Sequence, residues 1–189
     1  MNEMTSQGGT TTYGDWVTGA GQIPSTNAPV LQAIGAQVSA ELKASHQYLA
    51  MAAFCELHKF PGAAQWLRLQ SLEERQHALR LLDFVLARNA AVELEAMPAP
   101  AVEFEDLGDV FAAALMQEQQ TTAQINDLYK LAFASGAFAE MAELHWFLAE
   151  QVEEERTARQ WVARFQLVAN DPGALLDLDR ALGARTSST

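Results

Sequence analysis

The sequence has little of several features that define other classes of protein. Its 189 residues include one cysteine, Cys55, which excludes an internal disulfide framework and any Cys-x-x-Cys metal site. No stretch of 18 apolar residues occurs, and the first residues lack a basic segment followed by an apolar run. Neither a membrane-spanning helix nor a secretory signal is therefore indicated, and the cytoplasm is the expected compartment.

Basic residues are also scarce. Twelve Lys and Arg stand against 24 Asp and Glu, giving a formal net charge of -12. Such a charge disfavours nucleic acid and anionic membranes as partners and favours the attraction of cations, although acidity also simply keeps proteins soluble. With 49% hydrophobic residues, the chain is long enough for one domain with a substantial core.

The order of segments predicts one helical domain preceded by an extension. Residues 1–27 are rich in Gly, Ser and Thr, show no helical period, and are expected to be flexible, whereas 28–189 form the domain. Helices are predicted at about 27–57, 61–89, 105–134 and 138–169, with a short fifth helix from 171 to about 182. Asn27 is the expected N-cap of the first helix, with Pro29 in its first turn, and Asp171 with Pro172 should begin the fifth.

The connections between these helices indicate their arrangement. Residues 89–104 hold two prolines and no clear period. At about 3.3 Å per extended residue they can span a 25-residue helix, about 38 Å long, so the second and third helices can run parallel. The other connections between the four long helices are short. The sequence therefore predicts an all-α fold, a four-helix bundle with one long crossover and a short C-terminal fifth helix.

Each long helix has an apolar face that is interrupted by polar side chains near its middle. The interrupting residues are Glu41, Glu74, His77, Glu118, Gln151 and Glu154. In a bundle, the midpoints of neighbouring helices lie at one level whichever way each helix runs. These six side chains are therefore expected to meet in one polar layer inside the apolar core.

A buried layer of carboxylates needs a counter-charge, since each lone buried carboxylate costs several kcal/mol. No Lys or Arg falls on these faces near the layer, and a pair of divalent cations would supply the charge. Five oxygen donors with one imidazole suit Fe(II), Mn(II) or Zn(II). Ordinary exposed Glu and His residues are the alternative, but exposed residues should not fall on apolar stripes.

Four segments carry a resemblance to a known family. They are GluLeuLysAlaSerHisGlnTyr at 41–48, GluGluArgGlnHis at 73–77, Glu118, and HisTrpPheLeuAlaGluGlnValGluGluGlu at 145–155. From about residue 27 to the C-terminus the chain resembles bacterial non-haem ferritins, members of the ferritin-like di-iron family. The resemblance implies a ferritin-like four-helix bundle that binds two iron ions within each subunit.

The resemblance also implies a role for each residue of the layer. Glu41, Glu74 and His77 correspond to ligands of the first iron, with Glu74 bridging. Glu118 and Glu154 correspond to ligands of the second iron, and Gln151 is a nearby polar group that ligates iron or binds water.

Further residues match the family pattern around this centre. Tyr48 corresponds to a tyrosine thought to assist electron transfer, while a core tyrosine with a satisfied hydroxyl is an equal alternative. Glu73, Glu150 and Glu153 resemble a third iron site towards an inner surface. Ordinary solvated helix charges are the alternative for these three.

One position distinguishes this sequence from the related bacterioferritins. Bacterioferritins bind haem through a Met directly after the bridging Glu, and Arg75 stands at that position here, so haem is not expected. The resemblance implies an iron-storage protein and ferroxidase that uses O2 or peroxide as oxidant. It also implies a hollow homo-oligomeric cage of 24 subunits, with the fifth helix near a four-fold axis.

Two other functions are compatible with the sequence. One is a di-iron peroxidase or oxygenase that acts on a diffusible substrate and stores no iron. The other is a non-enzymatic cage or cargo scaffold, with a vestigial polar layer and an N-terminal extension that docks to a partner.

Overall fold

All secondary structure in the computed structural model is helical over the residues it describes, 27–169 and 171–185. The helices are α1 (Ala28–Leu57), α2 (Pro61–Ala87), α3 (Leu107–Ala134), α4 (Phe138–Val168) and α5 (Pro172–Gly183). The predicted all-α fold, with four long helices and a short fifth one, is confirmed. Residues 1–26 of the predicted extension lie outside the described range. None of the described helices combines the length and apolar character needed to cross a bilayer.

The crossover between α2 and α3 runs beside α1 in the same direction as α1. The amide of Glu95 donates to Ser39 Oγ at 3.0 Å, and six residues later the amide of Ala101 donates to Gln47 Oε1 at 2.8 Å. The chain therefore returns to the end of the bundle at which α2 began, and α3 runs parallel to α2, as the length of the crossover predicted. These side-chain acceptors also pair backbone donors in a segment without regular structure.

The apolar core is divided into two clusters, one towards each end of the bundle. The cluster at the end where α1 stops and α2 starts includes Tyr48, Cys55, Leu67, Phe111 and Phe165. The cluster at the opposite end includes Ile34, Leu81, Ile125, Leu144 and Phe147. Each Leu, Ile or Phe side chain among them contributes roughly 1.5–3 kcal/mol when fully buried. The interrupted stripes place their polar residues between these two clusters.

Helix α5 packs against the first turn of α2. Oδ1 of Asp179 accepts a hydrogen bond from the amide of Ala63 at 2.7 Å, satisfying one of the donors that a helix N-terminus leaves unpaired. The backbones also approach closely, since a Cβ at Gly62 would lie 1.8 Å from the carbonyl oxygen of Asp179. Leu182 is fully buried between the helices. These contacts hold the short helix α5 against α2.

The ends of the helices agree with the sequence patterns in part. Asp171 caps α5 by accepting hydrogen bonds from the amides of Gly173 and Ala174. Asn27 is the N-cap residue of α1 and Pro29 lies in its first turn, as predicted, but the Asn27 side chain makes no capping hydrogen bond. Its amide nitrogen instead donates to Oε2 of Glu140 at 3.2 Å, because Glu140 is fully buried and offers a stronger acceptor.

Candidate metal centre

The six polar side chains that interrupt the apolar helix faces are all buried. Their exposed fractions lie between 1% and 8% for Glu41, Glu74, His77, Glu118, Gln151 and Glu154. Helices α1, α2, α3 and α4 each contribute at least one of them. This burial rules out the alternative of ordinary exposed helix residues.

Three of these residues form a compact group with metal-binding chemistry. Glu41, Glu74 and His77 each offer a ligand atom, and these atoms lie within 4.8 Å of one another. Nδ1 of His77 lies 3.2 Å from Oε2 of Glu74. No other group of three His, Cys, Asp or Glu residues comes together in this way in the described part of the chain.

The two carboxylate oxygens of Glu41 differ in their hydrogen bonding. Oε1 accepts a hydrogen bond from Gln37 at 3.0 Å, whereas Oε2 is buried and has no hydrogen-bond partner among the described residues. Leaving a charged oxygen unpaired in the core is costly, and a cation beside Glu74 and His77 would satisfy it. The donors present, two carboxylates and one imidazole, fit a divalent iron, manganese or zinc ion.

The second half of the layer is held by hydrogen bonds. Oε2 of Glu118 accepts from the amide nitrogen of Gln151 at 3.3 Å, and Oε2 of Glu154 accepts from that of Gln70 at 2.9 Å. The carboxylates of Glu118 and Glu154 lie outside the compact group of three. Each still has an oxygen or a lone pair that these hydrogen bonds do not use.

Burial raises the pKa values of all four carboxyl groups. Desolvation is the largest cause in each case, and it raises the pKa of Glu41 to about 7 and that of Glu154 to about 8. The pKa values of Glu74 and Glu118 are raised as well, and for Glu74 the charge of Glu118 is the next cause. Without a cation, the layer therefore keeps protons near neutral pH that a bound metal ion would displace.

His77 is prepared to act as a neutral ligand. Its burial, followed by the nearby charge of Arg80, lowers its pKa to about 4. The ring packs edge-on against Trp146 and Phe147, with centroids 5.3 Å and 5.9 Å away. The imidazole is therefore uncharged at neutral pH and fixed in orientation, as a metal ligand requires.

Tyr48 lies beside the layer, fully buried. Its hydroxyl donates a hydrogen bond to Oε1 of Glu118. Burial raises the pKa of the phenol well above its usual value, and the charge of Glu118 raises it further, so the hydroxyl keeps its proton. This geometry fits both a residue that serves the centre and a core tyrosine with a satisfied hydroxyl.

The three carboxylates predicted to form a third iron site are close enough to interact, since the charges of Glu73 and Glu153 help to raise the pKa of Glu150 after the effect of burial. Two of them are already engaged by arginines. Glu73 pairs with Arg185, and Glu153 pairs with Arg156. The third site stays a prediction.

Three residues that support the centre were not assigned to it from the sequence. Gln37 lies four residues before Glu41, and Gln70 lies four residues before Glu74, so the spacing of neighbours on one helix face could have found both. The contact of Arg185 with Gln70 and Glu73 had no such signal, because it depends on where α5 docks.

Comparison with known proteins identifies the family. A model of the ferritin-like domain matches residues 31–168. The chain belongs to the ferritin family. The match includes all four long helices except for the first turn of α1, and with them every residue of the polar layer.

Named relatives of this ferritin come from bacteria and an archaeon. The bacterial non-heme ferritin of Staphylococcus aureus strain USA300 is 34% identical over 157 residues, or 83% of this chain and 95% of the relative. That of Staphylococcus haemolyticus is 33% identical over the same length. Among solved structures, an open-pore ferritin from Archaeoglobus fulgidus matches with a TM-score of 0.82 at 34% identity, over 84% of this chain and 98% of that one.

Proposed function

We propose that this ferritin oxidises Fe(II) to Fe(III) at the polar layer of each subunit and stores the product as a mineral inside a hollow assembly of its own copies. The observation that carries the proposal is the unpaired Oε2 of Glu41, buried beside Glu74 and His77. A core that holds four carboxyl groups, one with an unpaired oxygen, is stabilised by bound cations that supply the counter-charge. The names of the relatives support iron as that cation.

The residues of the layer divide the binding of two Fe(II) ions between them. Glu41 and His77 hold the first ion and Glu74 bridges to the second, which Glu118 and Glu154 hold, with Gln151 as a nearby ligand or water-binding group. Binding displaces the protons that the raised pKa values of Glu41 and Glu154 retain. Neutral His77 contributes its lone pair without losing a proton.

The electron balance follows from two one-electron oxidations. Two Fe(II) ions supply two electrons, which with two protons reduce O2 to hydrogen peroxide. When hydrogen peroxide is the oxidant, the same two electrons and two protons give two molecules of water. In both cases the carboxyl protons displaced by the incoming ions are available to the reaction.

Several features implied by the resemblance belong to the same proposal. They are a cage of 24 subunits, α5 near a four-fold axis, a cytoplasmic location and the electron-transfer role of Tyr48. We expect no haem, since exposed Arg75 stands where bacterioferritins carry the haem-binding Met.

Substitution of the bridging residue tests the ferroxidase activity. Glu74→Gln keeps the shape of the side chain but removes its charge, and we expect aerobic Fe(II) oxidation, followed by Fe(III) absorbance in a stopped-flow instrument, to slow by about tenfold or more. Asp83→Ala on the same helix is the matched control, because Asp83 is exposed. Size-exclusion chromatography should show both variants assembled. Equal oxidation rates for the two variants would refute the assignment.

Iron retention tests storage separately. After aerobic loading, we expect each assembled particle to retain far more iron than its subunit centres can bind. Retention of only a few ions per subunit, together with rapid oxidation, would instead support a di-iron enzyme that acts on a diffusible substrate.

A further inference from the structure

The chain places a guanidinium group at the edge of the polar layer. One terminal nitrogen of Arg185 donates to Oε1 of Gln70, and the other donates to Oε2 of Glu73. The guanidinium also lies over the ring of Trp66, with its carbon 5.0 Å from the ring centroid. Both members of the Arg185–Glu73 pair are 23% exposed. A planar group with three partners of this kind is held in one orientation.

Gln70 connects this arginine to the candidate ligand Glu154. The side chain of Gln70 is 1% exposed, and its amide nitrogen donates to Oε2 of Glu154 at 2.9 Å. Because Arg185 can only donate, it requires the amide oxygen of Gln70 to face it, which turns the amide nitrogen towards Glu154. The arginine thereby fixes the orientation of the glutamine and, through it, one oxygen of Glu154.

The docking of α5 determines where Arg185 lies. Asp179 binds the first turn of α2, and Gly62 and Gly183 allow close approach of the two backbones. Beyond the helix, the amide of Arg185 donates to the carbonyl of Leu182 at 3.2 Å. The position of the guanidinium is therefore set by backbone packing as well as by its own hydrogen bonds.

The partner of this arginine is one of the carboxylates that resemble a third iron site. A guanidinium and a metal ion compete for the same carboxylate oxygens, since each neutralises the negative charge and uses the lone pairs. The charge of Glu73 acts on Glu150, so a cation that neutralises Glu73 also changes the electrostatic surroundings of Glu150.

Building on the proposed function, we propose that Arg185 is a positioning residue that occupies the place of a third cation at Glu73 and orients Glu154 through Gln70. The centre of this ferritin then binds two cations per subunit, and Arg185 provides the third positive charge. We therefore expect each subunit to bind no more than two cations, whether or not the metal is oxidised.

Anaerobic titration with Co(II), followed by calorimetry and by metal analysis of the washed protein, measures this stoichiometry without oxidation. We expect the wild type to bind two tightly held ions per subunit and Arg185→Gln to bind three. Arg185→Lys keeps the charge beside Glu73 and should bind two. Arg180→Gln is the matched control, because it removes the same charge from an exposed pair with Asp177 within α5, and it should also bind two.

A double substitution identifies the group that gains the ion. Glu73→Gln combined with Arg185→Gln should return the count to two, because the freed carboxylate is then absent. Since Arg185 and Glu73 are both partly exposed, loss of their pair is expected to leave the fold intact. Thermal unfolding of the metal-free variants checks this.

The outcomes separate this inference from the proposed function. Three ions in the wild type, or two ions in Arg185→Gln with unchanged affinity, would overturn the role of Arg185 and leave the ferroxidase proposal intact. No tightly bound ions in the wild type would overturn both. A third ion in Arg185→Lys as well as in Arg185→Gln would show that the loss of packing, and not of charge, opens the position.

Discussion

The hydroxyl of Tyr48 on α1 donates a hydrogen bond to Oε1 of Glu118 on α3, between residues 70 positions apart in the sequence. Both side chains are at most 1% exposed. The phenol therefore contacts a carboxylate that we assign to the second iron, in a setting where water does not compete. This contact gives Tyr48 a direct route to influence the centre.

Removal of this hydroxyl should change oxidation more than binding. We expect Tyr48→Phe to bind the same number of Co(II) ions, to oxidise Fe(II) several-fold more slowly, and to lose about 1–2 kcal/mol of stability from the missing hydrogen bond. Stopped-flow absorbance and thermal unfolding measure these effects. Tyr129→Phe on α3 is a matched control, because Tyr129 is only half-buried. If both variants oxidised Fe(II) at the wild-type rate, Tyr48 would serve packing alone.

The metal-free protein should lose stability as the pH rises from 6.5 to 8. Glu41 and Glu154 have folded-state pKa values of about 7 and about 8 against an ordinary value of 4.5, so the folded state binds more protons than the unfolded state in this interval. Each proton of difference lowers the free energy of unfolding by about 1.4 kcal/mol per pH unit, giving a loss of roughly 1–3 kcal/mol per subunit.

Denaturant unfolding of chelator-treated protein at several pH values measures this loss. His77, with its pKa lowered to about 4 from 6.5, contributes its opposing gain in stability mainly below pH 6.5. Bound Co(II) should remove the decline, because it replaces the protons. A metal-free protein that gained stability across this interval would contradict the raised pKa values.

Neutralisation of Glu41 should separate stability from function. Glu41→Gln removes the buried charge whose Oε2 lacks a hydrogen-bond partner, so we expect the metal-free variant at pH 8 to be as stable as the wild type or more stable. The same change removes a proposed metal ligand, so the increase in melting temperature on adding Co(II) should shrink. A variant that retained the full metal-dependent increase would show that Glu41 does not bind the ion.

The close contact between α2 and α5 can be tested at a glycine. A Cβ at Gly62 would meet the carbonyl oxygen of Asp179 at 1.8 Å, so Gly62→Ala should force α5 away and cost about 1–3 kcal/mol. Gly35→Ala within α1 is the control, since its nearest neighbour, a methyl of Val92, would lie 3.9 Å away, and it should be neutral or slightly stabilising. Calorimetric melting curves compare the two. Equal melting temperatures would argue against the docking of α5.

Much of the centre could be predicted from the sequence, because the spacing of apolar residues shows which face of each helix is buried before the tertiary fold is known. Glu41, Glu118 and Glu154 each interrupt an apolar stripe near its middle, and the structure buries all three between two apolar clusters. The direction of the crossover could also be predicted, because its length is enough to span a helix and few connections are then possible.

Contacts between side chains that are far apart in the sequence could not be predicted from the pattern of apolar and polar residues. Asn is a residue type favoured at N-caps, yet the side chain of Asn27 donates to the buried carboxylate of Glu140. The local sequence does not indicate this contact. Arg185 reaches Glu73 because Gly62 lets α5 approach α2, a relationship between residues more than 100 positions apart. Such contacts are set by tertiary packing, after the helices have formed.

The most direct measurement is anomalous X-ray diffraction at the iron edge from crystals soaked anaerobically in Fe(II). We expect two strong peaks inside each four-helix bundle, with Glu74 between them. One should lie within ligand distance of Glu41 and His77, and the other within ligand distance of Glu118 and Glu154. Absence of iron from this layer, with peaks only on the outer surface, would contradict this expectation.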